Sequence, residues 1–185
     1  QVLEIAIREL LIEKGILTAD QIRKQVEDWE QKTPALGSKI IARAWCDNDF
    51  KKLLLEDGTK AVAQYDVGMG DLELKVIENT PEVHNVVVCT LCSCYPRPVL
   101  GLPPAWYKSS NYRRRVIREP RAVLKEFGTD IPEEIELRVH DSTADLRYLV
   151  LPMRPDQSKN MTERELSNIV TRDSMIGVTT VRVPS

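Results

Sequence analysis

The stretch Val83–Cys94, with the sequence VHNVVVCTLCSC, joins a candidate strand to a cluster of thiols. Its first half is dense in valine, which is typical of a strand buried on both faces. Three of the chain's four cysteines follow within six residues, at positions 89, 92 and 94, whereas Cys46 stands alone and is expected to be buried and unliganded. Three thiols this close do not make a disulfide framework. The stretch therefore predicts a metal or redox site in a reducing, cytoplasmic location.

The residues before this stretch have the apolar spacing of helices. Three helical segments are expected: residues 2–14, 18–32 and 37–64, the last broken near Asp47 and Gly58. Thr18 and Gln21 have the spacing of a capping box, so the second helix should begin at Thr18. We expect residues 1–64 to form a helical N-terminal arm.

The residues that flank and follow the cysteines mix strands and helices. Strands are expected over 72–78, 134–141, 146–152 and 174–183, and helices over 112–127, broken at Pro120, and over 162–170, capped by Thr162 and Glu165. A helical arm followed by such a mixture indicates an α+β fold. We expect residues 65–185 to form this α+β region, which contains the three clustered cysteines.

Charge and hydropathy exclude two classes of partner. The 185 residues carry a formal net charge of −2, which argues against a protein that coats nucleic acid or an anionic membrane. No apolar run reaches the roughly 18 residues that a transmembrane helix needs. We therefore expect neither a nucleic-acid nor a membrane partner.

The cysteine spacing permits an unusual ligand geometry. Cys92 and Cys94 flank the backbone amides of Ser93 and Cys94, so two thiolates and two deprotonated amides can form one square plane around an ion. Cys89 can place its sulfur below that plane as an axial ligand, which leaves a sixth position open. Such tetragonal N/S surroundings suit trivalent cobalt or iron better than zinc, which prefers a tetrahedron.

Other interpretations of the cluster remain open at this point. A structural zinc site needs a fourth ligand, which would be His84, His140 or a partner residue. A thioredoxin-like pair, Cys89 and Cys92, would normally open a helix, but this segment continues into prolines. A non-catalytic protein that binds a metal through plain thiolates is the alternative from another functional class.

The motif VCTLCSC, preceded by ENTPEVHNVV and followed by YPRPVLGLPPAWYKSSNYRRRVIREPRAVL, resembles the alpha subunit of nitrile hydratase. The resemblance continues through RVHDSTADLRYLVLPMRP to VTRDSMIGV and so covers nearly the whole chain. It extends to the metal-bearing subunit of thiocyanate hydrolase, which belongs to the same family. The three-subunit toyocamycin nitrile hydratase is a further member that the chain resembles.

The resemblance implies a layered α-β-β-α catalytic region over residues 65–185 that binds the metal. It also implies a ligand set and a reaction. It implies noncorrin Co(III), or less favourably iron(III), held by the sulfurs of Cys89, Cys92 and Cys94 and the backbone nitrogens of Ser93 and Cys94. Thr90 marks the cobalt branch. Cys92 is expected as sulfinic acid and Cys94 as sulfenic acid. The implied activity is nitrile hydration, in which the metal acts as a Lewis acid and the Cys94 sulfenate, or water activated by it, attacks the nitrile carbon to give the amide.

The resemblance also implies partners and substrate contacts. Full activity would need a beta-type subunit in a hetero-oligomer, and cobalt loading would need an activator protein. Arg97 stands where nitrile hydratases usually have Trp, whereas thiocyanate hydrolase typically has Arg, so Arg97 predicts a larger or more polar substrate. Trp106 is a second candidate for the substrate channel, and Arg147 matches an arginine that supports the metal ligands in the family.

Overall fold

The computed structural model describes residues 2–92 and 94–184. Within these residues, no helix combines the length and the apolar character that crossing a membrane would require. Ser93, the predicted donor of a backbone nitrogen, lies outside the described residues.

Two helices form the N-terminal part of the chain: α1 covers Val2–Glu13 and α2 covers Ala19–Gln31. Neither helix has a buried residue. The predicted capping box is confirmed, because the Thr18 side chain accepts from the Gln21 N–H and the Gln21 side chain accepts from the Thr18 N–H. Local hydrogen bonding thus sets where α2 begins.

The third helical stretch is divided as predicted. Helix α3 covers Ala35–Cys46, α4 covers Asn48–Glu56 and α5 covers Gly58–Ala63. Asp47 and Asp57 occupy the junctions, and each carboxylate accepts from backbone N–H groups of the helix that follows. The prediction that Cys46 is buried is wrong: it is exposed, because it is the last residue of α3, where the chain turns outward into α4.

In the described part of the chain, four strands form two parallel pairs rather than hairpins. Strand β1 (Glu73–Glu78) pairs with β4 (Leu146–Leu151), and β2 (Val83–Val88) pairs with β3 (Glu136–Asp141). Only four residues separate β3 from β4. Even so, these two strands do not pair with each other, because each pairs with an earlier strand. The short connection therefore carries the chain from one sheet to the other.

Six more helices and one 3₁₀ turn complete the described structure. The helices are α6 (Arg97–Leu100), α7 (Ala105–Lys108), α8 (Ser110–Arg118), α9 (Pro120–Glu126), α10 (Glu163–Ile169) and α11 (Arg172–Ile176), and the turn is Asp156–Ser158. The predicted break at Pro120 and the predicted capping box of Thr162 and Glu165 are both confirmed.

The predicted strand over residues 174–183 is wrong. The Thr171 side chain accepts from the Ser174 N–H and the Ser174 side chain accepts from the Thr171 N–H, so the segment begins as α11 instead. Gly177 then ends the helix with φ +86°. The described residues after it, 178–184, form neither strand nor helix.

The packing order confirms an α+β fold. Helices α4 and α5 pack on β1, β4 contacts β2 of the other sheet, and α9 packs on β3. Between these layers lies an apolar core that includes the fully buried side chains of Ile40, Leu54, Val87, Leu124, Leu149 and Ile176. Strand β2 runs through this core, and its last residue, Val88, immediately precedes the first cysteine of the cluster.

Candidate metal centre

Strand β2 places Cys89 in the protein interior. Val86, Val87 and Val88 have no exposed surface, and neither has Cys89. The Val88 carbonyl accepts from the Ser142 N–H at 2.7 Å, which continues the pairing with β3 to the end of the strand. The first cysteine of the cluster is therefore held on a rigid, fully packed element.

The loop after β2 brings the three cysteine sulfurs together. Cys92 Sγ lies 3.5 Å from Cys89 Sγ and 3.1 Å from Cys94 Sγ, and the three sulfurs all lie within 4.8 Å of one another. The Cys92 N–H donates to Cys89 Sγ at 3.3 Å. Exposure differs along the set, since Cys89 is buried, Cys94 half-buried and Cys92 exposed. One side of the cluster faces the core and the other is open to small molecules.

The spacing of the sulfurs fits a shared metal ion. Sulfurs about 2.3 Å from one ion lie about 3.3 Å apart when their bonds meet at right angles, and about 3.8 Å apart in a tetrahedron. The observed separations of 3.1 and 3.5 Å are closer to the right-angled arrangement. Cys92 is thus spaced from each of the other two sulfurs as the predicted tetragonal donor set requires, and the Cys89 and Cys94 sulfurs lie within 4.8 Å of each other.

The two histidines considered as a fourth zinc ligand, His84 and His140, contact other polar groups of the protein. His84 contacts the Gly177 carbonyl through Nε2 at 2.7 Å and the Asn79 amide through Nδ1 at 3.3 Å. His140 Nε2 lies 2.8 Å from Asn85 Oδ1. Among residues 2–92 and 94–184, the cysteine cluster includes no histidine or carboxylate as a further candidate ligand. Both histidines serve a buried polar network.

Thr90, between the first two cysteines, is anchored by a carboxylate from the other strand of the sheet. Its backbone N–H and its hydroxyl donate to Asp141 at 2.9 and 2.5 Å. Asp141 ends β3 and pairs in register with Val88, so the sheet delivers the carboxylate to the start of the loop. Asp141 was predicted only as the last residue of a strand, because sequence spacing does not reveal strand register.

Two further side chains bind carbonyls of the cysteine loop. Tyr107 is fully buried and donates its hydroxyl to the Cys94 carbonyl at 2.8 Å. Arg113 donates to the Thr90 carbonyl at 3.3 Å, and its buried Nε has no hydrogen-bond partner among the described residues. Together with Asp141, these contacts fix the loop backbone on both sides of Cys92.

The cysteine loop borders a cavity of about 280 Å³. Cys92 and Cys94 contribute to its wall, and the other lining residues are Trp29, Leu72, Tyr95, Arg97, Pro98 and Arg147. The cavity is near the lower end of the size range of small-molecule sites. Arg97, predicted to contact the substrate, and Arg147, predicted to support the metal ligands, therefore line the same cavity as Cys94.

Trp106 lies away from this wall, in an aromatic cluster beneath the loop. Its ring contacts Tyr107, Tyr112 and Phe127 edge-on, with centroids 4.8–5.8 Å apart. Such edge-to-face contacts stabilise a packed aromatic cluster. In this arrangement Trp106 supports Tyr107, which holds the Cys94 carbonyl.

The local electrostatics favour the protonated thiol of Cys94 until a cation binds. Burial, followed by hydrogen bonding to Cys92 and Cys89, raises the pKa of Cys94 to about 12, while the positive charge of Arg147 acts in the opposite direction. A metal ion reverses this preference because a coordinating thiol loses its proton. The cluster is therefore a site whose charge state depends on the ion.

Comparison with known proteins shows the family of the chain. The family described as "Nitrile hydratase, alpha chain" matches residues 1–179. The chain therefore belongs to the nitrile hydratase alpha-chain family, as the cysteine motif predicted.

Individual relatives are similar over nearly their whole length. The low-molecular-weight cobalt-containing nitrile hydratase subunit alpha of Rhodococcus rhodochrous is 51% identical over 97% of this chain and 88% of its own. A structure of recombinant thiocyanate hydrolase with partially modified cobalt centres superposes with TM-score 0.91 at 44% identity, over 98% and 89% of the two chains. A structure of an Fe-type nitrile hydratase from Comamonas testosteroni Ni1 superposes with TM-score 0.91 at 38% identity, over 97% and 91%.

Proposed function

We propose that this chain is the metal-bearing alpha subunit of a cobalt nitrile hydratase, which adds water to a nitrile to give an amide. The observation that carries the proposal is the approach of three cysteine sulfurs to within 4.8 Å of one another beside a small cavity. Cobalt is favoured because the similar Rhodococcus subunit is cobalt-containing, with iron as the alternative because an Fe-type structure is also similar.

Each cysteine of the cluster has its own proposed role in the site. Cys89, buried at the end of β2, would be the fixed ligand, and Cys92 and Cys94 would complete the sulfur set together with the backbone nitrogens of Ser93 and Cys94. A bound trivalent ion would supply a Lewis acid for the nitrile nitrogen. We propose oxidation of Cys92 to the sulfinic and Cys94 to the sulfenic level.

Cys94 is the proposed nucleophilic residue because it is both a ligand candidate and part of the cavity wall. Its sulfenate oxygen, or a water that this oxygen deprotonates, would add to the nitrile carbon. Net addition of one water across the carbon–nitrogen triple bond gives an imidic acid, and a proton shift from oxygen to nitrogen gives the amide. Tyr107 would keep the Cys94 backbone in place during this addition.

Metal and peptide analysis of the purified assembled enzyme tests this proposal. We expect cobalt in the protein, with two added oxygens on Cys92 and one on Cys94 in a peptide isolated without air. Zinc together with unmodified cysteines would instead support a non-catalytic thiolate metal-binding protein and contradict the enzyme proposal.

A thiocyanate hydrolase subunit is the second candidate function, and Arg97 is the observation that favours it. The exposed Arg97 side chain lines the cavity and makes no hydrogen bond or ion pair with another described residue, so its charge is available to an anion. Assays of the assembled enzyme with thiocyanate, an alkyl nitrile and a heteroaromatic nitrile separate the candidates. If Arg97→Trp leaves the range of substrates unchanged, Arg97 does not select the substrate.

We further propose that the catalytic domain comprises residues 65–185 and that residues 1–64 form a helical arm. All three cysteines and every cavity-lining residue except Trp29 belong to the later segment. The subunit would act in a hetero-oligomer with a beta-type subunit and would receive cobalt from an activator protein. Coexpression with and without each candidate partner, followed by cobalt measurement, tests both expectations.

A further inference from the structure

Trp29 reaches the cavity beside the cysteines from a distant part of the chain. It lies near the end of α2, and it alone among the residues of α1 and α2 lines the cavity that Cys92 and Cys94 border. Its side chain is half-buried, although α2 has no fully buried residue. The N-terminal helices thus contribute one aromatic side chain to the candidate substrate site.

A close backbone contact keeps Trp29 at this position. Gly101 has φ +71°, and a Cβ atom there would lie 2.0 Å from the Lys32 carbonyl oxygen, so the chain after α2 packs directly against Gly101. Gly101 follows α6, whose first residue is Arg97. The same contact therefore places the end of α2 next to the end of α6. Trp29 belongs to α2, and Arg97 belongs to α6.

The Lys32 side chain also holds the indole. Its ammonium group lies 4.2 Å from the centroid of the Trp29 ring, within the range of a cation–π contact. Lys32 therefore takes part in both contacts. Its side chain contacts the Trp29 ring, and its backbone carbonyl packs against Gly101. Both contacts favour the position in which the Trp29 ring lines the cavity.

The two side chains complement a particular class of ligand. An indole offers a flat apolar surface that is best covered by another planar ring. The guanidinium of Arg97 has no partner among the described residues and offers donors in a fixed plane. A short aliphatic nitrile uses neither feature, whereas a planar aromatic nitrile with a hydrogen-bond acceptor uses both.

We propose that Trp29 contacts the substrate and selects planar aromatic nitriles over short aliphatic ones. The inference rests on the proposed nitrile hydratase function and adds to it a specificity-determining residue from the N-terminal helices. It requires Trp29 to act on substrate binding and not on the metal site, because Trp29 is neither a candidate ligand nor a hydrogen-bond partner of the cysteine loop.

The test compares Trp29→Phe with Trp29→Leu in the assembled enzyme, because the two replacements are of similar size and differ in aromaticity. The probes are 3-cyanopyridine and propionitrile, and the readout is the ratio of their kcat/KM values. We expect Trp29→Leu to lower this ratio about three- to tenfold, mainly by raising KM for 3-cyanopyridine, and Trp29→Phe to preserve it. Val26→Ala, on an exposed part of α2, is the control and should leave the ratio unchanged.

The ratio is independent of how much enzyme is correctly assembled, because both substrates are measured on the same preparation. Equal ratios for the wild type, Trp29→Phe and Trp29→Leu would overturn the role of Trp29. A wild-type enzyme that contains metal but hydrates neither nitrile would instead overturn the proposed function. The two failures are therefore distinguishable.

Discussion

Thr90 and Asp141 lie 51 residues apart in the chain, yet one carboxylate binds both the backbone N–H and the hydroxyl of Thr90. The parallel pairing of β2 with β3 causes this contact, since Asp141 is the register partner of Val88, two residues before Thr90. The bond joins the cysteine loop to the neighbouring strand. Its position, directly after the buried candidate ligand Cys89, indicates a role in shaping the loop.

Removing the charge of Asp141 should loosen the cysteine loop. An uncharged amide accepts more weakly than a carboxylate, so we expect Asp141→Asn to destabilise the chain by about 1 kcal/mol and to speed cobalt loss to a chelator. Thermal unfolding and the rate of cobalt release measure the two effects. The control Asp130→Asn removes an exposed carboxylate elsewhere and should change neither thermal unfolding nor cobalt release. Equal rates of cobalt release from Asp141→Asn and Asp130→Asn would contradict the prediction.

Tyr107 and Tyr112 allow a matched comparison within one aromatic cluster. Tyr107 donates to the Cys94 carbonyl at 2.8 Å, and Tyr112 donates to the Val87 carbonyl at 2.7 Å. Each Tyr→Phe change removes one buried hydrogen bond and should cost about 0.5–1.5 kcal/mol of unfolding free energy. Only Tyr107→Phe should speed alkylation of Cys94 in the metal-free chain, as measured by peptide mass spectrometry.

The alkylation experiment has an internal reference in Cys46, which is exposed and far along the chain from the loop. The rate at Cys46 should be the same in both variants. If Tyr107→Phe and Tyr112→Phe accelerate the reaction of Cys94 equally, the tyrosines act through general packing and the hydrogen bond to Cys94 has no separate effect.

His84 should make the fold less stable in acid. Burial lowers the pKa of His84, so in the range between its folded pKa and the ordinary value of about 6.5 the unfolded chain binds more protons than the folded one. Unfolding free energy should therefore fall as the pH drops below about 6.5 and level off once the folded pKa has been passed. Urea unfolding between about pH 8 and 5 measures this slope, and His84→Gln should reduce it.

Gly177 should tolerate no side chain. Its φ is +86°, and a Cβ atom would lie 1.9 Å from the Asn85 carbonyl oxygen. Gly177→Ala should cost about 3 kcal/mol or more, because the unfavourable φ and the clash add. Gly128, at φ +74°, has no atom within 4 Å of the corresponding position. Gly128→Ala should therefore cost only about 1–2 kcal/mol in chemical denaturation, and equal losses at the two sites would contradict this account.

Features that depend on neighbouring residues were predictable from the sequence. The capping boxes at Thr18 and Thr162 were confirmed, because they involve hydrogen bonds between residues three positions apart. The same local chemistry explains one error: the box at Thr171 and Ser174 begins a helix where a strand had been predicted from residue 174. The capping box satisfies the backbone N–H groups of Thr171 and Ser174, and this outweighs the strand propensity of the segment.

The sequence by itself indicated the family and three candidate sulfur ligands, because the cysteine spacing restricts which atoms could surround one ion. Only the tertiary structure decided what surrounds that cluster. Parallel pairing brings Asp141 to Thr90, and packing of α2 against Gly101 brings Trp29 to the cavity wall. Both contacts depend on strand register and helix packing, which join distant segments through the buried core. The candidate ligands all come from the six residues 89–94, whereas the shape of the site depends on the whole fold.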